Sequence, residues 1–410
     1  MARRSGPPSR KPKRPQAARS TRPHQAQAAR SDAPAGTAPA GTAPVSSEAE
    51  EPQALVATVL FDSLDVGEGD ATVRFAGRRI SQGLPKAGDS FTHDEQIEGV
   101  VPGTGPASVT AWVYGVKAGE WSVDAQLIPR TAGAGGTSYR KAASPRPLQA
   151  ATWSWRRWRL SPAPSTPIKT RWAPLAQLAR QPAVVHGLYT ALAVVGFVVA
   201  LVLQSAILSG QSVQADRPLV ASILASVAGL IGAKVWYAVL HPDESLIRGG
   251  WAVDGFLIVA PLVAAFILYE WELPIGRVLD ATAPGIFFAV ALGRIGCFLT
   301  GCCAGRCSAS SWAIWSSDQR VGARRLPAQL WESAAGLALG IVTLVIVVSG
   351  GLPVRGGVFI AGFAVYAVVR QALLRVRAER RRSYRTLPLT AVAAGLVVVV
   401  ILALSLAQGA

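Results

Sequence analysis

The chain has 410 residues, half of them hydrophobic, yet its 41 lysines and arginines against 24 acids leave a formal charge of +17. Apolar and basic residues are segregated along it, which excludes a single soluble globule and fits a multi-pass membrane protein. All four cysteines fall between Cys297 and Cys307, which excludes a dispersed disulfide framework.

Residues 1–52 are Ala, Pro, Arg, Ser and Gly with almost no large apolar side chains. Such a segment buries too little surface to offset its ordering entropy, so a disordered basic tail is expected. No apolar run of signal-peptide length follows Met1, so no cleavable signal is expected either. Residues 53–130 change texture: ALVATVLF, ATVRFAG, ASVTAWVYGV and EWSVDAQLI are short β-rich runs between Gly, Pro and Asp clusters. They predict a small all-β sandwich, immunoglobulin- or fibronectin-like by pattern. Alternation puts Val109, Ala111 and Val113 on one face and Trp112 and Tyr114 on the other, with Trp121 as a core aromatic. His93 reads as a surface residue.

Residues 131–182 read as a Gly-, Pro- and Ser-rich linker containing Trp153 to Leu160, WSWRRWRL. Alternating Trp and Arg suits a membrane interface, with rings at headgroup depth and guanidiniums on phosphates. Stacking on nucleic-acid bases is the alternative, but the neighbouring apolar segments favour lipid, and no nucleic-acid partner is expected. Residues 183–410 hold about seven apolar segments of bilayer-spanning length: 183–207, 217–240, 250–270, 282–300, 328–349, 356–374 and 386–407. The basic flanks, Arg156 to Arg171, Arg306 to Arg325 and Arg375 to Arg385, then share one side. The positive-inside rule places that side, and the N-terminus, in the cytoplasm.

Arg294 stands out. A guanidinium within an apolar segment costs roughly 2.5–3.5 kcal/mol on insertion scales unless it finds an anion or a wet cavity, so it reads as functional. Snorkelling to the polar end at Gly301–Arg306 is the plainer alternative.

Asp280-x-x-x-Pro284, Gly293-Arg294-Ile295-Gly296-x-Phe298 and Gly301-x-x-x-Gly305-Arg306 together resemble the signature of the prolipoprotein diacylglyceryl transferases. Further matches follow in order: His186-Gly187-Leu188, Gly229-x-x-Gly232-Ala233-Lys234, Gly249 to Gly255, Arg325-Leu326-Pro327-Ala328-Gln329-Leu330-Trp331-Glu332, and Gly357 to Arg370. They cover most of Val184 to Arg377. The chain departs from the family where Cys297, Thr300 and Cys302 replace two asparagines and a glutamate, Asp254 replaces a histidine, and Leu374 replaces a glutamate.

The resemblance implies transfer of a diacylglyceryl group from phosphatidylglycerol to a prolipoprotein lipobox cysteine, at the cell membrane. It also implies the opposite orientation, with the N-terminus outside. Arg294 and Arg370, with Gly293, Gly296 and Gly305, would bind the phosphodiester, because a guanidinium matches phosphate oxygens in a fork. Asp254 or His186 would supply the base. Asp254 could equally pair with Arg294. The alternative function is a non-catalytic lipid-headgroup-binding protein of the same fold. The cysteines lack the paired C-x-x-C spacing of structural zinc sites, so no metal and no cofactor is expected, and packing is the leading reading, with a redox role behind it.

Overall fold

A computed structural model describes residues 51–66, 71–81, 84, 86–129, 146–244, 250–378 and 386–409. The tail expected over 1–52 lies outside these residues, apart from its last two.

The chain opens with β1 (Gln53–Asp62) and a single turn, α1 (Ser63–Val66), followed by β2 (Ala71–Arg79), β3 (Ser90–Ile97), β4 (Pro106–Tyr114) and β5 (Glu120–Pro129). β1 pairs with β4 antiparallel from Ala54↔Tyr114 to Asp62↔Pro106, and β2 pairs with β3 and β5. Period-2 side chains build one shared core. Leu55, Ala57, Val59 and Phe61 of β1 meet Val73 and Phe75 of β2, Val109 and Ala111 of β4, and Trp121 and Leu127 of β5. Trp112 is half-buried and Tyr114 exposed, on the other face. Trp121 is fully buried, its indole N–H donating to the Lys117 carbonyl at 3.1 Å.

The stretch expected as a linker is corrected by the strands found within it: β6 (Arg146–Ser154), β7 (Arg159–Ala163), β8 (Ile168–Lys169) and β9 (Arg171–Trp172). β6 bonds to β1 at Val59↔Ala150 and to β5 at Ala125↔Leu148, tying the two layers together. The Trp–Arg run is the β6–β7 hairpin. Arg156, Arg157 and Arg159 are exposed, as is Trp155. Trp153 and Trp158 instead pack inward with Leu160, Ala183 and Trp315. Proline and serine density hides the strands from a composition reading, yet an edge strand such as β7, which pairs only with β6, tolerates proline.

Helices follow: α2 (Leu188–Gly210), α3 (Asp216–Leu240), α4 (Val253–Glu270), α5 (Ile275–Thr300), α6 (Ala328–Val348), α7 (Gly357–Leu373) and α8 (Thr386–Gly409). Among the described residues six of them are long and apolar enough to cross a membrane. α7 is the exception to the seven expected: its 17 residues reach about 25 Å at 1.5 Å per residue, short of a hydrocarbon core of about 30 Å.

α5 is the central helix, packed on α2 and α6. A Cβ on Gly285 would lie 2.6 Å from the Cα of Ala200, so small residues set the α2–α5 approach. Asp280 on α5 accepts the N–H groups of Gly356 and Phe359 at 2.8 and 3.0 Å, capping the start of α7 with a carboxylate from another helix.

The connection from α5 to α6 folds back onto the β-domain. Its hairpin, β10 (Ile314–Ser317) and β11 (Val321–Arg325), extends the sheet: β11 pairs with β4 at Val321↔Val109 and Gly322↔Ser108. Val321 and Ala323 join the sandwich core. Arg320 pairs with Glu95 of β3 at 2.5 Å, and Trp315 stacks on Trp153 with ring centres 4.5 Å apart. A separate bridge joins Gly305 to Arg377. Through these contacts the chain before α2, the α5–α6 connection and the residues just after α7 come together in the fold.

Candidate functional site

The site grows from one acid. Glu332 opens α6 five residues after Pro327, and its side chain is fully buried. Three guanidiniums converge on it: Arg294 of α5 and Arg370 of α7 each reach Oε1 at 3.0 Å, and Arg377 reaches Oε2 at 2.5 Å. The Tyr366 hydroxyl donates to Oε1 at 2.7 Å. A buried carboxylate left alone would cost several kcal/mol, and so would the mostly buried guanidiniums of Arg294 and Arg377, while Arg370 keeps 38 % of its side chain exposed; mutual pairing is what makes the cluster tolerable. Three positive charges meet one negative, so two remain uncompensated by any carboxylate among the described residues. That surplus of positive charge suits the cluster to an anion.

The motif around Glu332 also shapes the signature loop. Arg325, 4 % exposed, pairs with Asp318 at 2.7 Å and donates to the Gly305 carbonyl at 3.2 Å. The Gln329 amide donates to the Cys302 carbonyl at 2.9 Å. α5 ends in a reversal: the N–H groups of Gly301 and Cys302 both donate to the Cys297 carbonyl, with φ of 79° at Gly301. This turn lays residues 302 and 303 back over residue 297. The sulfurs of Cys297, Cys302 and Cys303 all lie within 4.8 Å of one another, and Arg294 Nη1 approaches Cys297 Sγ at 3.9 Å. Hydrogen bonds from the Cys297 and Cys302 thiols, with the Arg377 and Arg294 charges opposing the cost of burial, hold the Cys303 thiol below its ordinary value. Cys307 stands apart, bridged to Arg325.

The residues expected at the site divide. Arg294 and Arg370 come together, joined through Glu332. Beside Gly293, a Cβ would meet nothing within 4 Å, so the helix face next to Arg294 is open there. Gly296 is not a recess for a headgroup, because its missing Cβ is filled by the Tyr189 backbone at 2.8 Å. Gly305 is likewise a crossing point, with the Leu326 carbonyl 1.9 Å from where a Cβ would stand.

The two expected bases are not brought to the cluster. His186 bonds to the Ala179 carbonyl at 2.8 Å, ahead of α2. Asp254 is exposed in the first turn of α4, and among the described residues neither Arg294 nor any other cation forms an ion pair with it. A polar residue at a motif position carries no information on which way its helix faces, and α4 packs chiefly on α3. Glu332, Arg377, Tyr366 and the thiol triad were the unassigned members. Glu332 had a signal, being the lone acid of an apolar segment, while Arg377 is hidden in the basic run after α7.

The sequence model of one family, described as prolipoprotein diacylglyceryl transferase, matches residues 178–407, more than half of the chain. The chain belongs to the prolipoprotein diacylglyceryl transferase family. Relatives named phosphatidylglycerol–prolipoprotein diacylglyceryl transferase include one from Dehalococcoides mccartyi strain 195, 28 % identical over 179 residues that cover 41 % of this chain and 68 % of the relative. One from Lactobacillus delbrueckii is 33 % identical over 159 residues, 35 % of this chain and 57 % of its own length. The transferase 2 of Clostridium perfringens is 30 % identical over 141 residues, 32 % and 55 % respectively. The transferase match begins beyond most of the β-domain and takes in every arginine of the cluster.

Proposed function

We propose that the chain transfers a diacylglyceryl group from phosphatidylglycerol to the lipobox cysteine of prolipoproteins at the plasma membrane. The observation that supports this most is the unbalanced cluster: Arg294, Arg370 and Arg377 around Glu332, with two positive charges in surplus. A phosphodiester entering from the lipid brings one negative charge and oxygens that match guanidinium forks. As the carbon–oxygen bond breaks, the leaving glycerol phosphate gains a second charge, and guanidiniums already held in place stabilise it without reorganising. Glu332 is the positioning residue, keeping mutually repelling arginines within reach of one anion.

In this reading α7 also crosses, making seven spans, because Arg377 returns to the side of Gly305. The β-domain sits on the same side, against the signature loop, where an acceptor protein would arrive.

One observation favours a non-catalytic headgroup binder instead: neither Asp254 nor His186 stands at the cluster. Complementation separates the two. Expression in a cell depleted of its own transferase should restore lipoprotein maturation, and Arg294→Ala should not. A parent protein that reaches the membrane, binds phosphatidylglycerol and never restores maturation would establish the binder.

A further inference from the structure

The transferase reading leaves the acceptor thiol without a base. We propose that Cys297, Cys302 and Cys303 bind a zinc-class, thiophilic divalent metal ion whose fourth position takes the acceptor cysteine. The inference rests on the transferase reading for its last step only.

Two C-x-x-C pairs are not needed to build such a site, because the helix end makes the juxtaposition itself. The reversal at Gly301 folds residue 302 over residue 297, and Cys303 adopts a positive φ of 55°, which orients the third thiol into the group. The Gln329 amide pins the turn at Cys302. Sulfurs bound tetrahedrally at about 2.3 Å stand roughly 3.8 Å apart, so three sulfurs within 4.8 Å need to close by about 1 Å at most. An odd number of thiols argues against a disulfide, which would use two and strand the third. A metal uses all three.

Charge fits as well. Three thiolates and a dication sum to minus one, and Arg294 lies 3.9 Å from Cys297 Sγ to compensate it. No histidine or carboxylate completes the group among the described residues, and Cys307 is bridged elsewhere. Structural zinc closes with four protein ligands, whereas catalytic zinc keeps one position open. The thiol group itself borders Arg294, one of the guanidiniums that would hold the phosphodiester.

A thiol entering that position loses its proton to water on coordination. The metal-bound sulfur then attacks the glyceryl carbon of phosphatidylglycerol. A carbon–sulfur bond forms, the carbon–oxygen bond to phosphate breaks, and glycerol phosphate leaves with the electron pair, held by the arginines. The product thioether is neutral and a weak ligand, so it departs. Nothing is oxidised or reduced.

The test uses the full-length protein, purified in detergent. Elemental analysis should find about one zinc per chain, as for a single thiolate site. Cys307→Ser should retain it, and Cys297→Ser, Cys302→Ser and Cys303→Ser should each lose it. Should the serine variants fail to fold, zinc protection of the same three thiols from maleimide in the parent protein gives the same answer. A parent protein that holds no zinc, takes up no cobalt after reduction and shows no protection overturns the site.

In the cobalt-loaded protein, a synthetic lipobox peptide with one cysteine should shift the visible ligand-field bands, and its serine counterpart should not. Unchanged bands with both peptides overturn the acceptor role. A protein that complements yet binds no metal sinks this proposal alone. One that binds metal and peptide thiol but never complements sinks the transferase reading and leaves the metal site standing.

Discussion

Glu332 Oε1 lies 3.0 Å from both Arg294 Nη2 and Arg370 Nη1, so two helices that flank α6 are held by a single oxygen atom. Removing the carboxylate leaves three guanidiniums facing one another. Glu332→Ala should therefore cost about 3–5 kcal/mol, the range for orphaned buried charges. Heat unfolding in detergent should show a large drop for Glu332→Ala and for Glu332→Gln, which keeps the shape without the charge. A Gln variant as stable as the parent would mean that the arginines are not charge-compensated there.

Arg294→Ala leaves Glu332 still paired with Arg370 and Arg377, so the protein should insert and fold. Its affinity for phosphatidylglycerol vesicles should fall by about tenfold or more, equivalent to ~1.4 kcal/mol or above. Arg294→Lys keeps a charge but cannot reach Glu332 and a phosphate with one planar fork, so it should also bind weakly. Unchanged binding by the alanine variant would return Arg294 to a snorkelling role.

Asp280→Ala removes two hydrogen bonds from the start of α7, worth about 1–2 kcal/mol by analogy with helix caps. Hydrogen exchange should quicken at Gly356 to Phe359. Headgroup affinity should fall with it, because Arg370 rides on the same helix. Unaltered exchange there would show that α7 is positioned by packing alone.

Gly322→Val places atoms where the Trp315 ring and the Ser108 hydroxyl stand, 2.3 and 2.7 Å from the missing Cβ. The β4–β11 pairing should open, and trypsin should gain access at Arg320 and Arg324. Equal resistance in parent and variant would mean that the hairpin does not hold the β-domain.

A reporter enzyme placed after Arg377 should give the same compartment as a tag ahead of α2, since Gly305 bridges to Arg377 and β11 to β4. The basic flanks predict the cytoplasm. Opposite answers from the two positions would sink the shared-side topology; a shared external answer would sink the charge rule alone.

Arg294 was legible because a lone charge in an apolar run has few cheap explanations. The faces of β4 were legible because side chains alternate with period 2, so burial of Val109 commits Ala111. Glu332 was only partly so: it is the lone acid of its apolar segment, but it stands close to a span's start, where an acid reads as interfacial. The thiol triad was not, since spacing rules assume extended knuckles and not a helix reversal. The strands at 314–325 were beyond reach for another reason. Runs of only four and five residues, Ile-Trp-Ser-Ser and Val-Gly-Ala-Arg-Arg, are too short to carry a β-signal without the partner edge, and that edge is some two hundred positions earlier.

The same separation sets an order of events during synthesis. β4 ends at Tyr114, but the strand that covers it begins at Val321. At about 5–20 residues per second, translation leaves that edge bare for roughly 10–40 s. During that interval four apolar helices must enter the bilayer. The β-domain therefore waits with an unpaired strand and a core lacking Val321 and Ala323, the state most prone to pairing with a stranger. The nascent sandwich is finished by its own membrane domain, and a β-domain expressed alone would never leave that waiting state.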